Sequence, residues 1–247
     1  MTTTSTGTKP ALTLTDVHAN IDQYHILEGV DLVVPKGELT VLLGRNGAGK
    51  STTLRTIMGL TTVKRGQIHF GKQDIAGWPT PKIARQGIAF VPEHMGVFGQ
   101  LTVRENLVLA AISGSMDEAR LSWLLDLFPP LKKFWDKPAG NLSGGQKQML
   151  AIGRAVIEPR ELLLIDEPTK GLAPAIINDL ADALDQLKAE KVTILLVEQN
   201  FNFSRRLGQS VAVMNDGRVV HSCTMADLAE DEALQHRLLG LGLSEHQ

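Results

Sequence analysis

An intrachain disulfide, a cysteine-rich metal site and a membrane-spanning helix are all beyond this sequence. Cys223 is the only cysteine among 247 residues, so it has no partner for a bridge and no second thiolate for a zinc site. A reducing, cytosolic setting fits that usage. The longest apolar runs, such as residues 192–197, are strand-sized, well short of the roughly 18 residues of a membrane span. Aromatic residues make up 4% of the chain and Tyr24 is the only tyrosine, so stacking surfaces for a ligand are scarce. Neither sign of charge dominates. The 25 basic and 27 acidic residues are interspersed and leave a net charge of −2, which argues against a nucleic-acid partner or a polybasic membrane surface. Residues 1–10 are Thr-rich without the apolar stretch of a secretory signal and read as a disordered lead. Residues 241–247 read as a tail.

The residues that are present suit a soluble core. Hydrophobic residues make up 43%, and a chain of this length holds one large domain or two small ones at roughly 100–200 residues each. The first part reads as β-rich, with strands expected at 12–14, 30–34, 38–43, 67–70 and 88–91 and a turn at Pro35-Lys36-Gly37. Residues 50–59 read as a helix. From about 93 to 145 the character changes: helical spacing covers 102–112 and 118–128, and Pro129-Pro130 should stop the second helix. Beyond it, helices at 146–157 and 175–187 alternate with apolar strands at 162–165 and 192–197. Two short strands around Asp216-Gly217 and a last helical stretch to about 239 follow. Uninterrupted apolar strands alternating with helices imply an α/β fold whose mostly parallel sheet is covered on both faces.

Two segments carry chemistry. Gly44-Arg45-Asn46-Gly47-Ala48-Gly49-Lys50-Ser51, followed by Thr52, fits the phosphate-loop pattern and lies between an apolar strand and a helix. Such a loop turns backbone N–H groups onto phosphate oxygens, and the helix adds its positive end. Lys50 offers a point charge to the outer phosphates, and the Ser51 hydroxyl is a hard ligand suited to Mg²⁺. The second segment is Leu162-Leu163-Leu164-Ile165-Asp166-Glu167, an apolar strand ending in two carboxylates. Ligands of a parallel sheet collect at such strand ends, so Asp166 is expected beside Ser51 at Mg²⁺ and Glu167 at the water that attacks the γ-phosphate. Together these give a nucleotide hydrolase and no finer class.

Asn141-Leu142-Ser143-Gly144-Gly145-Gln146, opening an amphipathic helix, narrows the class. It resembles the LSGGQ signature of the ATP-binding-cassette family. The likeness runs from about Leu12 to Leu239 in the family's order: phosphate loop, helical insert, signature, acidic strand, switch strand. An ordinary Ser cap explains the helix start but leaves the second glycine unexplained. The resemblance implies a P-loop ATPase fold with an N-terminal antiparallel β subdomain, one domain over 11–240 and a helical insert over about 93–145. It also implies ATP and Mg²⁺, and an ATP-sandwich dimer in which Ser143, Gly144, Gly145 and Gln146 grip ATP held by the other subunit.

Departures from the general family pattern point to one branch. Val91-Pro92-Glu93 puts Glu93 where a Gln near Mg²⁺ is usual. Val197-Glu198-Gln199-Asn200 puts Gln199 where a switch His is usual; an amide can donate to a phosphate oxygen but cannot titrate. Lys170-Gly171-Leu172-Ala173-Pro174 puts Ala173 where an Asp is usual. This combination resembles the second of the two ATPases of importers for branched-chain amino acids, urea and short amides. The resemblance implies a companion ATPase (a homodimer being the other option), two membrane permeases, a periplasmic solute-binding protein and a place on the cytoplasmic face of the inner membrane. A soluble ABC ATPase without a transporter is the alternative. The resemblance also implies a residue that stacks on adenine, at Ile21 by the family's register or at Tyr24, the aromatic three residues on. In the run 93–101, His94, Met95, Val97 and Phe98 are candidates for permease contact, with core packing as the competing role of Phe98. Trp123, Phe128, Phe134 and Trp135 read as core or loop anchors.

Overall fold

A computed structural model describes residues 9–111 and 116–240. The first eight residues of the expected lead, Ile112 at the end of an expected helix, and the expected tail lie outside the described residues. In chain order the elements begin with β1 (Pro10–Ile21), β2 (Tyr24–Pro35), β3 (Leu39–Gly44), α1 (Lys50–Ile57), β4 (Val63–Phe70), β5 (Gln73–Asp74), α2 (Thr80–Ala84) and β6 (Ile88–Val91). Then come α3 (Val103–Ala110), α4 (Glu118–Leu127), α5 (Pro129–Lys133), a 3₁₀ turn at Ala139–Asn141 and α6 (Gly144–Val156). The last part holds β7 (Leu162–Asp166), α7 (Pro174–Ala189), β8 (Thr193–Glu198), α8 (Phe201–Leu207), β9 (Ser210–Asn215), β10 (Arg218–Thr224), α9 (Met225–Glu230) and α10 (Glu232–Leu239).

Among the described residues the strands form two sheets. One is antiparallel in the order β2-β1-β4-β5; the other runs β10-β9-β3-β8-β7-β6, parallel except for the β9–β10 pair. The apolar runs of the parallel sheet are explained by burial on both faces. In β7, Leu163 and Ile165 point into the core under α3, α4 and α6, while Leu162 and Leu164 join the core shared with the antiparallel sheet and α1. In β8, Ile194 and Leu196 take the first side and Leu195 and Val197 the second. Successive strand side chains alternate faces, so a strand apolar at every position needs cover on both.

Five elements differ from the sequence expectation. β1 and β2 are 12 residues each, much longer than the strands expected at 12–14 and 30–34. A register shift between Leu14 and Val17, with Asp16 at φ 49°, changes the parity of the buried side chains from Leu12 and Leu14 to Val17 and Ala19. A bulge of that kind hides a strand from period-two reading. Pro129-Pro130 separates α4 from α5 but also starts α5, because proline is tolerated in the first turn. The short helices α2 and α8 were not foreseen. Phe128 is fully buried, and Trp123, Phe134 and Trp135 pack partly buried on the same core, as expected of anchors.

Candidate nucleotide site

The strand ends of the parallel sheet bring the two motifs together. β3 runs into the loop at Gly44 and α1 begins at Lys50, next in the sheet to β8 and one strand from β7. Gly49 caps α1 at φ 104°, where an added Cβ would lie 2.9 Å from Met214 Cε. Backbone of that conformation favours glycine, and the turn it makes aims α1 at the loop. The Lys50 ammonium curls back into the cradle, donating to the carbonyls of Gly44 at 2.9 Å and Arg45 at 3.2 Å. Its side chain is 3% exposed and pairs with Glu167 Oε1 at 3.2 Å. Arg45, Asn46 and Gly47 are exposed, whereas Ala48 and Thr52 are buried in the loop and first turn. A buried lysine whose partners are mostly backbone carbonyls fits a cradle made for an anion.

Ser51 Oγ donates to Asp166 Oδ1 at 2.9 Å, the pairing expected of two groups meant for one cation. Burial pushes the Asp166 carboxyl up to about 6; the Ser51 hydroxyl pulls it down, Glu167 and Glu93 push it up, and Lys50 pulls it down. Among the described residues no cluster of three or more His, Cys, Asp or Glu could hold a metal. That donor set suits Mg²⁺, which takes one or two protein ligands and completes its shell with phosphates and water. Glu93 is 43% exposed and accepts from Lys170 Nζ at 2.6 Å, so here its carboxylate is engaged by a loop lysine rather than by Ser51.

Glu167 follows Asp166 at φ 42°, an uncommon conformation for a side-chain-bearing residue. Its N–H donates to Val197 O at 2.9 Å, which pins it to β8. Gln199, on the loop after β8, meets it: Nε2 donates to Glu167 Oε1 at 2.6 Å and to Asn46 Oδ1 at 2.7 Å. A carboxylate only accepts, which fixes which end of the amide faces it. Lys50, Asn46, Glu167 and Gln199 thus close one network around the loop.

The signature lies at the start of α6 and is built differently. Ser143 Oγ accepts the Gln146 N–H at 3.3 Å, and Gln146 Oε1 accepts the Ser143 N–H at 3.0 Å, a reciprocal capping box. Ser143 and Gly144 are exposed. The first-turn N–H groups of Gly144 and Gly145 have no acceptor inside a helix. The structure also supplies a packing reason for the second glycine that the sequence did not show. A Cβ on Gly145 would fall 2.3 Å from Ile176 Cγ2 of α7, whereas one on Gly144 would sit 3.6 Å from Leu172 Cδ2. At the usual Asp position, Ala173 caps α7 without a side-chain hydrogen bond, and Pro174 at the first helical position removes one otherwise unpaired N–H group while leaving those of Ala175 and Ile176 without a side-chain cap.

Ile21 and Tyr24 are directly paired across the β1–β2 turn. Directly opposite residues share a face, and both stand exposed at the hairpin tip, at 42% and 64%. The hairpin reaches the loop through Leu27 Cδ2, 3.1 Å from the Cβ position of Gly49. Glu198, between Val197 and Gln199, was not singled out from the sequence. It is 2% exposed and its carboxylate accepts three backbone N–H groups.

Comparison with known proteins follows the same outline. A family profile described as ABC transporter matches residues 27–170. The high-affinity branched-chain amino acid transport ATP-binding protein BraG of Pseudomonas aeruginosa is 42% identical over 216 residues, covering 87% of this chain and 93% of that protein. The probable branched-chain amino acid transport ATP-binding protein LivF of Archaeoglobus fulgidus is 37% identical over 228 residues, 91% and 97% of the two chains. A solved ATP-binding subunit of an ABC transporter superposes with a TM-score of 0.78 at 33% identity, covering 95% of this chain and 97% of that one. With more than half of the sequence inside the family profile and nearly the whole fold shared, the chain is an ABC ATPase and belongs to the ABC transporter family.

Proposed function

We propose that this chain is the ATP-hydrolysing subunit of an importer for branched-chain amino acids or related small solutes, seated on the cytoplasmic face of the cell membrane. The observation that carries the reading is the identity with two branched-chain amino acid transport ATP-binding proteins over nearly their whole length. The site supports the hydrolytic half. Loop amides and Lys50 hold the phosphates of ATP, and Tyr24 and Ile21 flank the adenine. Ser51 and Asp166 hold Mg²⁺, with Glu93 reaching it once released from Lys170. Bound Mg²⁺ neutralises phosphate charge. Glu167 orients and deprotonates the attacking water, and Gln199 holds Glu167 with one amide hydrogen and turns the other, given now to Asn46, to the γ-phosphate.

The start of α6, exposed at Ser143 and Gly144 and carrying N–H groups without an acceptor inside the helix, fits the γ-phosphate of ATP held by another subunit. We place a second ATPase there, so that ATP closes the dimer and hydrolysis reopens it. The permeases have a candidate seat. A groove of about 730 Å³ runs past Met58, Leu60, Phe90, Met95, Arg154 and Arg160, and Phe98 is 50% exposed. Glu93 and Asp166 line its inner end beside Ser51, so a short helix from a membrane subunit lying on the apolar part would sit next to the nucleotide site. None of the described helices is long and apolar enough to cross a membrane itself.

The test is purification of the tagged chain from gently solubilised host membranes, with the co-purifying proteins identified. Recovery of a second ATPase and two permeases, with a solute-binding protein that takes branched-chain amino acids, is the expected result. Recovery of the chain alone under ATP-trapping conditions would contradict it and favour a soluble ATPase.

A further inference from the structure

Glu198 ends β8 and is spent on the backbones of two loops. Its Oε1 accepts the N–H of Thr169 at 3.1 Å, just past Glu167 and Pro168. Its Oε2 accepts the N–H groups of Gln199 at 3.0 Å and Asn200 at 3.1 Å. Burial holds the carboxyl above the ordinary glutamate range, and the Asn200, Thr169 and Gln199 donors pull it back down. An ionisable group buried at 2% exposure is costly compared with an apolar one, and the four residues before it in β8 are Ile194, Leu195, Leu196 and Val197. Filling the strand end is therefore no reason for an acid. What the acid does there, and a hydrocarbon could not, is join two loops. One carries Glu167 and the other Gln199, whose side chains meet at 2.6 Å. A contact that short requires both backbones to be fixed relative to each other.

We propose that Glu198 is a positioning residue: its buried carboxylate clamps the loop after Glu167 to the loop of Gln199 and keeps the two side chains in register for attack on the γ-phosphate. The proposal rests on the hydrolytic roles given to Glu167 and Gln199 above. Without the clamp, Thr169 and Gln199 shift independently, ATP still binds at the phosphate loop, and the water and its base lose alignment.

The experiment measures ATP affinity and thermal midpoint for Glu198→Gln in the isolated full chain, and turnover in the assembly recovered from host membranes. One end of the amide is an NH₂ that cannot accept, so the variant serves only one loop while keeping size and shape. Turnover should fall roughly 10- to 100-fold, the range for small misplacements of reacting groups. ATP affinity should stay within about two-fold, and the loss of turnover should exceed what the modest fall in midpoint from the unsatisfied backbone N–H groups explains. The same change in a Gln199→Ala background should cost far less, since the clamp acts through Gln199. Unchanged turnover, losses that multiply independently, or turnover that falls only with the midpoint would overturn the proposal. Glu198→Asp, with both acceptor oxygens on a shorter stem, carries the same measurements if the amide variant does not fold. Glu167→Gln is measured alongside: full turnover there would remove the assignment on which the clamp depends.

Discussion

Two helix starts in this molecule are suited to phosphate, and they are finished to different degrees. The start of α1 is complete within the chain. Its loop holds Lys50 on backbone carbonyls, Ser51 on Asp166, and Glu167 between Lys50 and Gln199. The start of α6 is capped only by its own Ser143 and Gln146 and faces solvent. The first is a preorganised site of buried charge; the second is a donor surface without an anion. Their difference is what the proposed reading rests on: one start is finished inside the chain, and the other is left for a second subunit.

The sharpest break of this comparison comes from the first region. Glu167→Gln should lower turnover roughly 100- to 10,000-fold, the span for loss of a general base, with ATP binding kept. Steady-state hydrolysis and equilibrium binding on one preparation check it. Next is Lys50→Ala, which removes the buried cation between the loop carbonyls and Glu167. ATP affinity should weaken roughly 10- to 100-fold, the worth of charge-assisted hydrogen bonds; calorimetric titration reads it directly.

The second region is probed through its glycines. Gly145→Ala should cost about 1–3 kcal/mol of stability by overpacking, because Ile176 leaves no room for a Cβ. Gly144→Ala, with ordinary space beside Leu172, should cost little. Urea denaturation of the two variants separates packing from anion binding. The smallest effect is with pH. The Asp166 carboxyl is raised to about 6 in the metal-free chain, so its proton-bound form is favoured in the fold. Stability from that group is present at low pH and is lost as pH rises through about 6. Mg²⁺ needs the ionised form, so metal affinity should fall as pH drops below about 6, and a Mg²⁺ titration at several pH values reads that slope.

What was legible in the sequence was local. The phosphate loop, β7 with the two carboxylates at its end and just past it, and the switch strand announce themselves through glycine spacing and apolar runs. Their chemistry lies within a few residues of the pattern, and parallel topology brings the strand ends together. What stayed hidden depends on tertiary partners. Gly145 reads as a spare glycine until Ile176 of α7 is laid against it. Glu198 reads as one more surface acid until three backbone amides from two loops close on it. The bulge at Asp16 breaks the alternation that would have shown β1 at full length. Ile21 and Tyr24 look like rivals along the chain and are neighbours across the hairpin. The helix α8 left a signal that could have been read: Asn200 is its side-chain cap, accepting the Phe203 N–H at 3.1 Å.

The central claim is that the signature surface completes a site on another subunit and not the phosphate loop of its own chain. Ser143→Arg tests it most directly, with ATP affinity measured in the isolated chain and turnover measured in the assembly recovered from host membranes. The account predicts wild-type affinity and turnover lowered roughly 100-fold or more by loss of γ-phosphate stabilisation. Affinity lost in the isolated chain, or turnover retained in the assembly, would contradict it.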